Sequence, residues 1–150
     1  PPGEFLMGCT PEEVDRALAL PVEGITQERI IANIQSSAPQ HRVILTQPTY
    51  LGRHEVTQRQ YLQVMDGNPA YYGPMGEGAP RDVVTEQWPV ESTNWYDAAE
   101  FCARLSEKER LKPFYFLVQQ TVTRMSGPGY RLPTEAEWEF GYRAGSVALE

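Results

Sequence analysis

Hydrophobic positions at helical spacing are clearest between Trp95 and Leu105. Apolar side chains recur there at i, i+3, i+4, i+7 and i+10, which places them on one face of a helix. Asn94 precedes the run as a cap, and Asp97 occupies the third helical position. The pattern predicts a helix that buries Trp95 and Cys102 in the core.

Thr134 and Glu137 mark a second helix start near the end of the chain. A Thr followed three residues later by Glu is a capping box, in which each side chain bonds a backbone N–H of the first turn. Glu135 lies where the helix dipole favours an acid. One signal disagrees, because apolar residues alternate as in a strand at Ala136, Trp138, Phe140 and Tyr142. The cap and the helix-forming residues favour a helix.

Capping boxes that start at Thr10 and Thr57 predict two more helices. Thr26 begins another short amphipathic stretch, so residues 10–37 read as two consecutive helices. Such helices most often form a surface hairpin whose apolar faces cover the protein's own sheet. A partner-binding role for this hairpin is the alternative.

Short runs rich in β-formers predict the strands. The first runs from Glu4 to Met7 and ends in a turn at Gly8. Residues 39–45 and 50–56 are expected to pair as a hairpin across a short turn. The last two runs, at 114–118 and 121–123, predict a strand or an irregular hairpin.

Residues 66–87 are rich in Gly and Pro and predict a long loop that contains Tyr71 and Tyr72. Aromatic rings on a loop can stack on a ligand, or they can pin the loop onto the body. A loop of this length is a candidate for function.

Arg131 also has two interpretations, an ion pair with a nearby Glu or a bidentate clamp for an anionic substrate.

Composition narrows the class of protein. The chain has 150 residues, of which 41% are hydrophobic and 11% aromatic, so it fits one globular domain. Its net charge is −7 and it contains no basic run, which argues against nucleic-acid binding. No apolar run approaches the length needed to span a bilayer, and no signal-peptide pattern occurs at the N-terminus.

Cysteine and histidine give weak signals. Cys9 and Cys102 form neither a zinc framework nor a disulfide scaffold, so we interpret them as small, partly buried side chains. A catalytic or redox pair is the alternative, and the redox compartment stays undetermined. His41 and His54 could ligate a metal with Glu55, but their spacing fits no helical or strand ligand pair. We predict no metal site.

The run from Tyr130 to Glu139, followed by Arg143-Ala144-Gly145, resembles the signature of the sulfatase-modifying factor family. Further similarity is found in Pro2-Gly3-Glu4-Phe5-Leu6-Met7-Gly8, in Glu55-Val56-Thr57, in Asn68-Pro69-Ala70-Tyr71-Tyr72 and across 89–102. The positions that we interpret as structural motif residues are Thr57, Trp95, Asp97, Arg131, Thr134, Glu135, Glu137 and Trp138.

The resemblance implies an α+β chain with the complex mixed fold of the C-type-lectin-like, sulfatase-modifying-factor type. It implies that residues 1–150 are a single domain of the bacterial type, truncated at its C-terminus, with a helical insertion at 10–37. Since a domain cut mid-way leaves sheet edges uncovered, we expect marginal stability unless its C-terminal half or another chain completes the fold.

The resemblance also implies a function. Active members are copper-dependent oxidases that convert a sulfatase Cys or Ser to formylglycine, and their cysteine pair, copper and calcium sites follow the Arg-Ala-Gly motif. No catalytic residue or cofactor can therefore be assigned to a position here, and we expect this fragment not to be catalytic by itself.

The alternative function is a non-catalytic, lectin-like binding or sensor module, such as those joined to serine/threonine kinases in bacteria. Either function implies a peptide or protein as substrate or ligand. The ligand-binding candidates are Tyr71, Tyr72 and Arg131. The cellular compartment stays open.

Overall fold

The computed structural model describes residues 2–20, 27–119 and 121–144. Those ranges contain five helices and four strands and show the predicted α+β class. The chain divides into two compact units, Pro1–Leu51 with Pro133–Glu150 (unit 1) and Gly52–Leu132 (unit 2). The elements in chain order are β1 (Gly3–Met7), α1 (Pro11–Leu18), α2 (Gln27–Ser36), β2 (His41–Leu45), α3 (Gln58–Met65), α4 (Trp95–Lys108), β3 (Tyr115–Val118), β4 (Thr121–Arg124) and α5 (Glu135–Arg143).

Unit 1 is built on a two-stranded antiparallel sheet. β1 pairs with β2 in a register that sets Phe5 opposite Val43. Both strands contact α5, and the Phe5 ring packs on the Phe140 ring with 5.4 Å between centroids. Thr134 and Glu137 form the predicted capping box of α5, which confirms the helix over the alternating-strand interpretation.

The turn after β1 is held by α5. The Gly8 N–H donates to Glu139 Oε1 at 2.9 Å, and the Gly8 carbonyl accepts from the Arg143 guanidinium at 3.0 Å. Arg143 Nε also donates to Glu139 Oε1 at 2.7 Å, while Arg143 is only 7% exposed. The buried charge is thus compensated by an ion pair and by a backbone carbonyl, as burial of a charge requires.

The predicted helices of residues 10–37 form α1 and α2, which contact each other. The capping box of Thr10 and Glu13 is present, and none of the residues of α1 is buried. The predicted start of the second helix at Thr26 lies outside the described residues.

Unit 2 has its core between α4 and the hairpin of β3 and β4. Buried Ala99, Cys102 and Ala103 of α4 pack with Tyr115 of β3. Helix α3 packs on α4, where the Tyr61 and Phe101 rings stack with 5.4 Å between centroids. The partly buried residues around this core are Phe114, Leu117, Val122 and Leu132.

The predicted strand at residues 50–56 is wrong. The segment is irregular, and its residues from Tyr50 to Glu55 are all exposed. A strand gains little there because neither face would be buried. The strand that pairs with β2 is β1, more than thirty residues earlier in the chain.

The prediction that Trp95 lies in the core is also wrong, although Cys102 is buried as expected. Trp95 occupies the first turn of α4 and is 49% exposed. Its ring meets the Tyr115 ring at the edge of the core, with 6.2 Å between centroids. The helical spacing of apolar residues shows which face of α4 a side chain lies on. It does not show how far along the helix the core extends.

We predict that Gly8→Ala destabilises the protein by about 1–3 kcal/mol, because Gly8 has a φ of +88° that L-residues rarely adopt. An added Cβ would also collide with the Ser37 carbonyl oxygen. Urea unfolding measures the change. Gly67→Ala is the matched control, since open space surrounds Gly67, and equal stability of the two variants would contradict the prediction.

We predict that Gly141→Ala stabilises the protein by about 0.5–1 kcal/mol, because glycine in a helix interior is less favourable than alanine. The new Cβ would lie 2.8 Å from Leu51 Cδ2, the far end of a flexible side chain that can rotate away. A thermal melt gives the sign. A lower melting temperature for the variant would contradict the prediction and would mean that the Leu51 side chain cannot rotate away from the added Cβ.

Candidate functional site

The long loop between α3 and α4 is anchored by one buried amide. Gln58 Oε1 accepts from Asn68 Nδ2 at 3.0 Å and from Thr85 Oγ1 at 3.1 Å. Gln58 and Thr85 are 2% and 1% exposed. Asn68 Oδ1 accepts in turn from the Ala70 N–H at 3.1 Å, and Ala70 is also buried. Both ends of the loop are therefore fixed to α3.

Backbone hydrogen bonds close the loop into consecutive turns. The Gly73 N–H donates to the Ala70 carbonyl at 3.0 Å, and the Gly78 N–H donates to the Tyr71 carbonyl at 2.9 Å. At the other end, the Gln58 N–H donates to the Trp88 carbonyl at 2.9 Å. Because these polar groups are satisfied within the loop, it holds a defined shape without a strand or a helix.

Tyr71 and Tyr72 project from this fixed loop. Their rings are nearly perpendicular, at 86°, with 4.9 Å between centroids. Tyr71 is 45% exposed and Tyr72 is 50% exposed. Since Gln58 and Asn68 anchor the loop, half of the surface of each tyrosine remains available to a ligand.

Glu91 lies beside the tyrosine pair. Its Oε1 accepts from the Tyr72 N–H at 2.9 Å, and its Oε2 accepts from the Ser92 hydroxyl at 2.6 Å. The Ser92 hydrogen bond, followed by the one from Tyr72, lowers the pKa of Glu91 below its usual value. The carboxylate therefore remains charged to a lower pH than that of an ordinary Glu.

Sequence reasoning missed Glu91. It stands nineteen positions after Tyr72, and only the path of the loop brings it back to the Tyr72 backbone. No local motif marks this pairing. A carboxylate shortly before a helix cap could have been noticed, but its partner could not have been derived from spacing.

Arg131 contacts Phe114 and Leu132. Its guanidinium lies over the Phe114 ring, 5.6 Å from the centroid, and its Nη1 donates to the Leu132 carbonyl at 3.0 Å. These partners differ from those of the tyrosine pair. The ligand-binding role of Arg131 stays a prediction, as does its ion pair with Glu135 or Glu137.

The thiols have environments that disfavour the thiolate. Burial raises the pKa of Cys102 to about 11. Burial also raises the pKa of Cys9, helped by the nearby carboxylates of Glu13 and Glu139. A thiolate is the reactive form, so neither cysteine is activated by its surroundings.

The described ranges contain no group of side chains that could bind a metal ion. Within them, no three side chains of His, Cys, Asp or Glu come together in a way that could hold an ion. We therefore assign copper or calcium to none of these residues, and the cofactors implied by the resemblance stay a prediction.

No described helix is long and apolar enough to cross a membrane.

Unit 1 contains a separate apolar pocket of about 350 Å³ between the end of β2 and α5. Glu137, at its edge, is engaged by the fold. One carboxylate oxygen accepts from Thr49 Oγ1 at 2.7 Å, and the other accepts from the Thr134 N–H at 2.8 Å. The lining residues are Leu45, Gln47, Thr49, Leu51, Glu137, Phe140, Gly141 and Ala144.

We predict that Gln58→Leu destabilises unit 2 by about 1–3 kcal/mol, because the partly buried Asn68 donor and the buried Thr85 donor lose their common acceptor. Loop residues 66–87 should also become more sensitive to limited proteolysis. Urea unfolding and proteolysis measure the two effects. Gln63→Leu, at an exposed position of the same helix, is the control, and equal behaviour of the two variants would contradict the anchoring role.

Two comparisons with known proteins agree on a relationship that covers part of longer chains. Chaperone protein LppX of Paenibacillus barcinonensis is 40% identical over 112 residues, which cover 64% of this chain and 36% of that relative. Treponema denticola variable protein 1 matches in structure with a TM-score of 0.50 and 30% identity, over 61% of this chain and 40% of that chain. The chain thus spans less than half the length of either protein.

The family comparison covers the full sequence. The model of the sulfatase-modifying factor enzyme 1-like domain matches residues 1–150, including the Tyr130–Glu139 run and the first strand. This protein is a member of the sulfatase-modifying factor enzyme 1-like domain family, as the motif resemblance predicted.

Proposed function

We propose that this chain is part of a non-catalytic recognition domain that binds an unfolded segment of another polypeptide through Tyr71 and Tyr72. The observation that carries the proposal is the pair of half-exposed tyrosines on a loop whose ends are buried and hydrogen-bonded. A loop held in this way presents the rings in one arrangement before any ligand arrives.

Fixed tyrosines are effective contact residues for polypeptides. Each offers a large, partly apolar surface and a hydroxyl, and it loses little conformational entropy on binding because it has only two side-chain torsions. Tyr and Trp are also enriched among the residues that dominate binding energies at interfaces. Further exposed aromatic residues of unit 2 are Trp88, Trp95, Tyr96, Phe116 and Tyr130.

One relative supports a polypeptide as ligand. The protein from Paenibacillus barcinonensis is named a chaperone, and chaperones act on other polypeptides. The enzyme reaction that the family resemblance implies also has a polypeptide, a sulfatase, as its substrate. Polypeptide binding is the property that these two functions share.

Oxidation of a sulfatase Cys or Ser stays a prediction that rests on the family alone. Cys9 and Cys102 have pKa values raised by burial, and the described residues present no metal donor set. We therefore propose no oxidative step at any of these residues. The proposal concerns binding, for which the loop supplies the geometry.

The proposal predicts that this protein binds a permanently unfolded chain, such as reduced and carbamidomethylated α-lactalbumin, and that Tyr71→Ala with Tyr72→Ala weakens binding at least about tenfold. Fluorescence anisotropy of the labelled probe gives both dissociation constants. Tyr50→Ala is the matched control, because Tyr50 is a fully exposed tyrosine of unit 1.

Two results would overturn this function. One is the absence of binding by the unaltered protein at concentrations up to the millimolar range, and the other is equal affinity of the double variant and the Tyr50 control. Circular dichroism of each variant verifies that the fold is retained. The substituted rings are half exposed, so the double variant should remain folded.

A further inference from the structure

The tyrosine pair has a fixed negative charge next to it. Glu91 is held by the Tyr72 N–H and by the Ser92 hydroxyl, which are both neutral donors. These hydrogen bonds fix the position of the carboxylate without cancelling its charge. Ser92 has a φ of 60°, so the backbone turns sharply directly after Glu91.

The rings add a second attraction for positive charge. The face of an aromatic ring carries the negative part of its quadrupole, and a cation over the face of Tyr is attracted to it. Because the two rings are nearly perpendicular and half exposed, they form two adjoining walls rather than one flat surface. An ammonium group fits a corner made of aromatic walls and a carboxylate.

We propose that Tyr71, Tyr72 and Glu91 form a binding site for a lysine side chain of the bound polypeptide. The four-carbon stem of lysine would lie against the rings, while its ammonium group would approach the Glu91 carboxylate. This inference rests on the proposed polypeptide-binding function and adds a preference to it. An acidic side chain would be rejected at the same place, because like charges repel.

The matched probe is the same unfolded α-lactalbumin with its lysines acetylated, which keeps the stems and removes the charges. We expect this protein to bind the unmodified probe about fivefold more tightly than the acetylated one, as an exposed cation–π contact and a surface ion pair together would give. In Glu91→Gln the preference should disappear. The Gln side chain can still accept from the Tyr72 N–H, so the loop should keep its shape.

Two further variants separate a specific site from general electrostatics. Glu107→Gln removes the same charge from an exposed position in the last turn of α4, and it should keep the preference for unmodified lysine. Tyr72→Leu removes an aromatic face but leaves the backbone N–H, and it should lose the preference. Circular dichroism of every variant confirms its fold, and the Tyr72 variant tests the site independently of Glu91.

The outcomes distinguish the two proposals. If neither probe binds, the polypeptide-binding function fails, and this inference fails with it. If both probes bind the unaltered protein equally, the function stands and the lysine site is wrong. A preference that survives in Glu91→Gln, or that is lost equally in Glu107→Gln, would also overturn the lysine site.

Discussion

The candidate site depends on the side-chain oxygen of Gln58. That one acceptor receives hydrogen bonds from Asn68 and Thr85, which lie near opposite ends of the long loop. The arrangement has a cost, because the Gln58 Nε2 is buried without a hydrogen-bond partner among the described residues. The polar network holds the two ends of the loop, the Tyr71 ring packs against Gly78 within it, and about half of the surface of Tyr71 and of Tyr72 stays exposed.

Unit 1 depends on a comparable long-range polar contact. Glu139 and Arg143 lie one helical turn apart on α5; Glu139 accepts from the Gly8 N–H, and Arg143 donates to the Gly8 carbonyl. More than 130 positions separate the helix from that turn, so the contact joins the two ends of the described chain. An ion pair that is buried on one helix gains most when it also satisfies backbone groups. The sheet and α5 thus share one network.

Local rules were sufficient for the helices and insufficient for the contacts. The boxes at Thr10, Thr57 and Thr134 predicted helix starts because a cap depends on four neighbouring residues. The pairing of β1 with β2 depends on residues far apart, and the sequence suggested a hairpin with 50–56 instead. Trp95 followed the apolar stripe, yet the positions of α3 and β3 decide which residues of α4 are covered. The tyrosines were found as candidates, whereas Glu91 was not, because loop geometry has no sequence period.

The physical character of the site fits a protein that holds many different segments. Rings that the fold has already ordered lose little entropy on binding, so their contribution does not require a particular partner sequence. A partly exposed carboxylate such as Glu91 adds selectivity more than affinity, since solvent weakens its attraction for a cation. A site made in this way would bind apolar and aromatic segments generally and would favour those in which a lysine is adjacent. That combination suits transient holding of unfolded chains better than the recognition of one fixed epitope.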